Sequence, residues 1–177
     1  MKRTISFMTG KGSVNHNSRK FHAKNTDPER SCLNVEYCNE NIKDVYHELF
    51  DEALERYNAK QIRSDRKIKD YYEKIRSSKQ EKPFHEIILQ VGGKGNMNAD
   101  TENGELAKQI LDEYYQGFQE RNPQLRVFSA HLHMDEATPH LHIDFVPFTT
   151  GSKRGLDTRV SLKQALATQG FKGGSRG

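Results

Sequence analysis

The sequence predicts an α+β fold in which an antiparallel β-sheet carries helices packed mainly on one face. Three observations carry this. The segments "LRVFSAHLHM" and "HLHIDFVPF" both alternate in polarity and are joined only by "DEATP", a link short enough to force an antiparallel hairpin. From Asn41 to about Gln61, Ile42, Val45, Tyr46, Leu49, Phe50, Ala53, Leu54 and Tyr57 recur at three- and four-residue spacings, which stack on one side of a helix. "FHEIILQVG" reads as a buried strand because β-branched and apolar residues dominate it and glycines close it.

The remaining elements follow in chain order. "RTISFMT" alternates Ile5 and Phe7 with Thr4, Ser6 and Met8 before Gly10 and Gly12 end a first strand. After a polar loop, "CLNVEY" makes a short second strand, and the helix from Asn41 follows. The basic segment 60–82 predicts a second helix, stopped near Ser77, Ser78 and Pro83. Beyond the buried strand a helix runs from about Thr101 to Glu120 with Leu106, Ile110, Leu111, Tyr114 and Phe118 inward, and "NPQ" stops it. After the hairpin, "GSKRGLDTRVSLKQALATQGF" reads as a loop and a short helix. The order is ββα(α)βαββα, which suits helices on an antiparallel sheet. The 177 residues fit a single domain, with 168–177 expected to be flexible and the chain a fragment of a longer one.

Composition narrows the function classes. Only 33% of residues are hydrophobic and 29% are charged, so the surface is large and wet. No apolar run reaches the roughly 20 residues a membrane helix needs, and "MKRTISFMTG" lacks the apolar centre of a signal peptide, which points to the cytoplasm without membrane contact. Cys32 and Cys38, the only cysteines, match no metal-knuckle spacing and read as reduced structural thiols. Charge is segregated: nine Lys/Arg against four Asp/Glu in 60–82, six against one in 151–177, and seven acids against one base in 36–55. Basic segments on a chain of net charge +4 suit a polyanion, with Lys67, Lys69, Lys74, Arg76, Lys153, Arg154 and Arg159 as candidate phosphate contacts. The plainer reading of 60–82 is a solvated helix face whose charges pair locally.

The hairpin holds four of the eight histidines. Alternation puts His131 and His133 on one side of their strand and Ala130, Leu132 and Met134 on the other; His140, His142 and Asp144 share a side opposite Leu141, Ile143 and Phe145. Imidazoles from strands about 4.8 Å apart can converge on a point about 2.1 Å from each nitrogen, which suits a metal. His133, His140 and His142 are the candidate ligands. His131, roughly 6.6 Å farther along the strand, is a supporting or structural group. Three neutral imidazoles leave coordination positions open and favour a transition metal over magnesium.

"HMDEATPHLHIDFVPF" resembles the metal motif of the Mob/Pre (MobV) plasmid relaxases, members of the HUH endonuclease group. "HNSRKFHAKNTDPERSCLN" is similar to the family's first motif, and "DRKIKDYYEKIRSSKQEKPFHEIILQVG" and "TRVSLKQALATQGF" also look like family sequence. The resemblance implies a bacterial enzyme that nicks one strand of single-stranded or hairpin DNA at the transfer origin of a plasmid or transposon. Family members usually continue into a C-terminal region for dimerisation. The resemblance further implies that His16 is the nucleophile, giving a phosphoramidate to the 5′ end. Glu136 would hydrogen-bond that nucleophile, Arg19 would stabilise charge on the transition state, and Asn17 and Asn25 would position DNA or the loop. It implies manganese, with magnesium or another transition metal as substitutes. Asp135 fits a cap of the turn and Asp144 a partner for a ligand histidine.

Most HUH enzymes use tyrosine, which makes Tyr37, Tyr71 and Tyr72 the competing nucleophiles of a replication initiator or transposase. Core packing is their plainer role. The sequence also accommodates a non-catalytic metal-containing DNA-binding module, or a hydrolase acting through metal-bound water. Neither of these leaves a protein–DNA bond.

Overall fold

The computed structural model describes residues 4–21 and 24–171. The start of the first expected strand and most of the expected flexible tail lie outside these residues. The elements are β1 (Ile5–Thr9), α1 (Val14–Asn17), a 3-10 turn (Pro28–Leu33), β2 (Val35–Asn39), α2 (Ile42–Ala59), a second 3-10 turn (Ser64–Arg66), α3 (Tyr71–Arg76), β3 (His85–Val91), α4 (Glu102–Gln116), α5 (Phe118–Arg121), β4 (Leu125–His133), β5 (His140–Thr149), β6 (Arg159–Val160) and α6 (Leu162–Ala167). The architecture is α+β, with an antiparallel sheet in the order β1-β3-β5-β4-β2 and β6 paired to β5.

The chain divides into two compact units. The first comprises residues 1–39, 85–121 and 127–145. Here the period-two pattern separates two faces of the sheet. Register pairs Ile87 with Ile143 and Leu89 with Leu141 on one face, and Glu86 with Asp144, Ile88 with His142 and Gln90 with His140 on the other. The apolar face is the core, with Leu89, Leu132, Leu141 and Ile143 at most 1% exposed, and α4, which packs on β3, buries Ala107 and Leu111. The polar face of the same strands is the floor of the candidate active site. At the edge strand β1 the expected alternation fails: all five residues are exposed, Ile5 at 51% and Phe7 at 59% among them.

Helix α4 starts where Thr101 Oγ1 accepts the Gly104 N–H at 3.2 Å and stops at Gly117, so the single helix expected over 101–120 is broken in two. Gly104 sits where a Cβ would run into the Asn98 carbonyl oxygen and lie 2.7 Å from Ala99 Cα. Helix propensity alone favours Gly104→Ala by about 1 kcal/mol, but these clashes are with backbone that cannot rotate away, and overpacking costs about 1–3 kcal/mol or more. We expect Gly104→Ala to lower the melting temperature; a rise would show that the 98–99 backbone yields.

The second unit comprises residues 40–84, 122–126 and 146–177. The apolar face of α2 buries Val45, Tyr46, Phe50 and Ala53, and α3 contributes Tyr71 and Ile75. Asn41 caps α2 by accepting the Lys43 N–H. Segment 60–82 differs from the expected helix: it is a 3-10 turn, then extended chain, then only six helical residues begun by the cap Asp70. Asn58 Oδ1 accepts the Ile68 N–H and Asn58 Nδ2 donates to the Ile68 carbonyl, so the extended stretch is pinned before a helix can form. Arg63 and Arg76 pair locally with Asp65 and Glu73. Arg66, Lys67, Lys69 and Lys74 line an open groove together with Asp65, Asp70 and Glu73. Lys153 and Arg154 are exposed, and Arg159 donates to Ser152 Oγ. Among the described residues no helix is long and apolar enough to cross a membrane.

Candidate active site

Several segments of the first unit meet on the polar face of the sheet. Strands β4 and β5 bring His133, His140, His142 and Asp144, β3 brings Glu86 and Gln90, the turn after β4 brings Asp135 and Glu136, and the loop around α1 brings His16, Asn17 and Arg19. The His133 and His142 rings lie 4.7 Å apart, and the His16 ring is 6.1 and 6.3 Å from them. His140 is 6.4 Å from His142.

Each candidate ligand donates one ring N–H to a protein acceptor. His133 Nε2 donates to the Asn17 carbonyl at 2.8 Å, His140 Nε2 to Gln90 Oε1 at 2.9 Å, and His142 Nδ1 to Glu86 Oε1 at 2.8 Å. In a neutral ring that contact fixes the tautomer and turns the other nitrogen's lone pair outward, the arrangement by which metal-binding histidines are oriented. His133 Nδ1 and His140 Nδ1 are buried and have no hydrogen-bond partner. Burial pushes His133 down to about 3 and also lowers His140, so both stay neutral and available near neutral pH. The donor set therefore fits a divalent transition metal. Among the described residues no three such side chains already stand at ligand spacing, so the fit rests on tautomers and orphaned nitrogens rather than on a preformed cage. His131 lies farther along β4, 6.2 Å from His133, with Nδ1 3.7 Å from Glu36 and Nε2 buried without a partner.

Glu86 escapes a reading of the sequence, in which "FHEIILQVG" is simply a buried strand. It is 5% exposed and accepts from His142, from Asn17 Nδ2 at 2.8 Å and from the Gly12 N–H at 2.7 Å. Burial would raise its pKa, but these donors hold it below the ordinary glutamate value. Gly10, just past β1, is a glycine because that carboxylate needs the space: a Cβ there would collide with Glu86 Oε2. The usable signal is a carboxylate at the polar phase of an apolar strand, a residue type almost never buried unpaired. We expect Glu86→Gln to weaken Mn2+ binding about 10–100-fold, because an amide cannot accept from all three donors. Calorimetric titration measures this, and unchanged affinity would remove Glu86 from the support of His142.

Asn17 corrects an expectation. It is 1% exposed, and its amide bridges Glu86 and Asp144, so it is a strut inside the site and offers DNA no surface. Asp144 Oδ2 also accepts from Ser129, Oδ1 has no partner, and burial beside the Glu86 charge pushes this carboxyl up to about 6. Its hydrogen-bonded link to His142 is indirect and runs through Asn17 and Glu86.

Asp135 does more than cap the turn. Fully buried, it accepts from Arg19 Nε at 2.9 Å and Nη2 at 2.5 Å, Ser31 Oγ at 3.0 Å and Asn34 Nδ2 at 2.8 Å, and its carbonyl accepts the Asp27 N–H. Burial alone would raise its pKa; Arg19 and Asn34 hold it far below the usual range. Arg19 Nη2 also binds Glu136 Oε1 at 2.9 Å, and Nη1 sits 3.3 Å from His16 Nε2. Glu136 Oε1 is 3.7 Å from His16 Nε2, longer than a hydrogen bond, and Oε2 accepts from the exposed Asn25 at 3.2 Å. Burial, then Arg19, lowers the His16 pKa against the opposing charge of Glu136.

The tyrosines are differently engaged. Tyr37 donates to Asp112 at 2.7 Å and stacks on Tyr115, and Tyr71 is buried with its oxygen accepting the Val160 N–H. Burial raises both phenols, the wrong direction for a nucleophile. Tyr72 packs edge-on against Tyr46 beneath Lys43.

Among solved structures, the chain is similar to the MobM relaxase domain (MOBV; Mob_Pre) bound to 22-nucleotide oriT DNA of plasmid pMV158, in an Mn-bound crystal structure at pH 5.5. Identity is 21% and the TM-score 0.52, over 99% of this chain and 91% of that one. A second crystal structure of that domain, at pH 4.6, gives 20% identity and a TM-score of 0.47 over 97% and 89% of the two chains. At this identity the first likeness shows the shared fold. No curated protein matches the chain. The family of plasmid recombination enzymes, Mob_Pre, matches residues 8–169, nearly the full length and including every residue of the site, and the chain belongs to that family.

Proposed function

We propose that this enzyme is a strand-specific relaxase, acting in the bacterial cytoplasm, that nicks single-stranded origin-of-transfer DNA by transesterification through His16. The observation that carries this is the placement of a neutral, partly exposed imidazole within 6.3 Å of His133 and His142, with an arginine and a carboxylate against its Nε2. The MobM domain bound to oriT DNA and manganese, similar in fold, supports the same substrate class and metal.

His133, His140 and His142 would hold a divalent ion, manganese by preference, which when bound supplies Lewis acidity to a non-bridging phosphate oxygen. The lowered pKa keeps His16 in the nucleophilic form near neutral pH. Its ring nitrogen attacks phosphorus, a P–N bond forms, the P–O3′ bond breaks with its electron pair going to the 3′ oxygen, and that oxygen takes a proton from solvent water to become a hydroxyl. The imidazole gains positive charge as it attacks, and Glu136, 3.7 Å from Nε2, offsets it. Arg19 binds Asp135 through two nitrogens and Glu136 through one, so its main work here is to hold the nucleophile loop and Glu136 together, with Nη1 facing His16. Asn25 steadies the other oxygen of Glu136. Lys67, Lys69, Lys74, Arg76, Lys153, Arg154 and Arg159 would contact phosphates along the strand, giving affinity that falls with salt.

The test is incubation with Mn2+ and labelled single-stranded DNA from the transfer origin of the element that encodes the protein. A covalent 5′ adduct that acid cleaves, mapped to His16 by mass spectrometry, is expected. An acid-stable adduct on tyrosine, or scission without an adduct, would overturn the reading.

A further inference from the structure

Phe21 is a large apolar side chain that the core does not use: it is 51% exposed, and its ring stands 5.9 Å from that of His16 at 48°. Its position is set by backbone. At the end of α1 the Ser18 N–H donates to Val14, the Arg19 N–H to His16 and the Lys20 N–H to the Asn15 carbonyl, with Arg19 in the left-handed region at φ 51°. This is a helix-terminating motif in which glycine is usual at the left-handed position. It turns the chain so that residue 21 returns beside residue 16, and the exposed Lys20 sits next to it.

Building on the proposed nicking reaction, we infer that Phe21 is a stacking platform for the nucleobase flanking the scissile phosphate. A phosphate placed against His16 has its base one sugar away, a reach comparable to the separation of the two rings. An exposed π-face there holds any base without reading its identity, and stacking of this kind fixes single-stranded DNA. It also orients the phosphate, because the base and the phosphorus are joined by few rotatable bonds.

The chain contains no tryptophan, so Phe21→Trp introduces a single indole at the proposed contact, excited selectively at wavelengths where the seven tyrosines do not absorb. Origin single strand is expected to quench it, both in the presence of His16 and in a His16→Ala background, whereas blunt duplex of the same sequence leaves it bright. Phe21→Ala is expected to lower kcat/KM for nicking ~10–100-fold. Phe21→Tyr and Phe21→Trp should stay within ~3-fold of wild type and Phe21→Leu should fall with alanine, since an aliphatic chain fills space but does not stack. An abasic position next to the nick should slow the wild type by a similar factor and leave Phe21→Ala almost unaffected. Wild-type nicking with an unquenched Phe21→Trp, a fully active Phe21→Leu, or an abasic penalty equal in both proteins would overturn the inference. Quenching of Phe21→Trp with His16 intact, in a protein that forms no adduct on His16, would reject the proposed chemistry and keep the base contact.

Discussion

His16→Ala is expected to lose adduct formation by ~10,000-fold or more, the scale seen when a covalent nucleophile is removed. The side chain is 24% exposed and its polar contacts are to Arg19 and Glu136, which hold each other without it. The variant should therefore melt close to wild type, bind Mn2+ with wild-type affinity and still retain single-stranded DNA. This combination separates chemistry from folding. Tyr71→Phe and Tyr72→Phe should nick normally, although Tyr71→Phe will melt lower because its oxygen accepts the Val160 N–H in a buried place. Persistent nicking by His16→Ala would move the nucleophile elsewhere.

Asp135→Ala is the second large effect, and it acts on stability. The carboxylate is fully buried and takes hydrogen bonds from Arg19, Ser31 and Asn34. Its removal leaves a guanidinium that is 11% exposed with half of its ion pairing gone. Breaking one side of such a pair costs about 3–5 kcal/mol, and for a chain of this size each kcal/mol shifts the melting temperature by about 2–4 °C. A drop of about 6–20 °C is expected, accompanied by proteolytic cutting between residues 13 and 34. Adduct formation should fall too, because Arg19 and Glu136 are no longer set against His16. A melting temperature within about 2 °C of wild type would show that the loop does not depend on this carboxylate.

Much of the site can be read in the sequence because alternation within a strand is local. His133, His140 and His142 need only the period of two and the short turn, and α2 needs only its apolar spacing. Glu86 and Gln90 are not legible, because what makes them partners of His142 and His140 is the register of β3 against β5, fixed by packing on the other face. Asn17 misleads for the same reason: a loop asparagine is polar and available until the fold closes over it. The helix expected over 60–82 fails where Asn58 outcompetes it for the backbone of Ile68. The resemblance to the relaxase family points to His16, which nothing in its local sequence marks as reactive.

The loop that carries His16 reaches the sheet through contacts distant in the chain: Asn17 to Glu86 across 69 residues and to Asp144 across 127, and Arg19 to Asp135 across 116. The histidine hairpin closes through residues 134–139 alone. Loop-closure entropy therefore orders assembly, with the hairpin pairing early and the loop docking last. The same hierarchy runs backwards in the native state, where a short segment docked by a few side-chain contacts opens at lower free energy than the sheet. Amides of residues 13–20 should exchange with solvent ahead of those in β4 and β5, so the first partly unfolded form of this enzyme keeps His133, His140 and His142 together and has lost His16 from beside them.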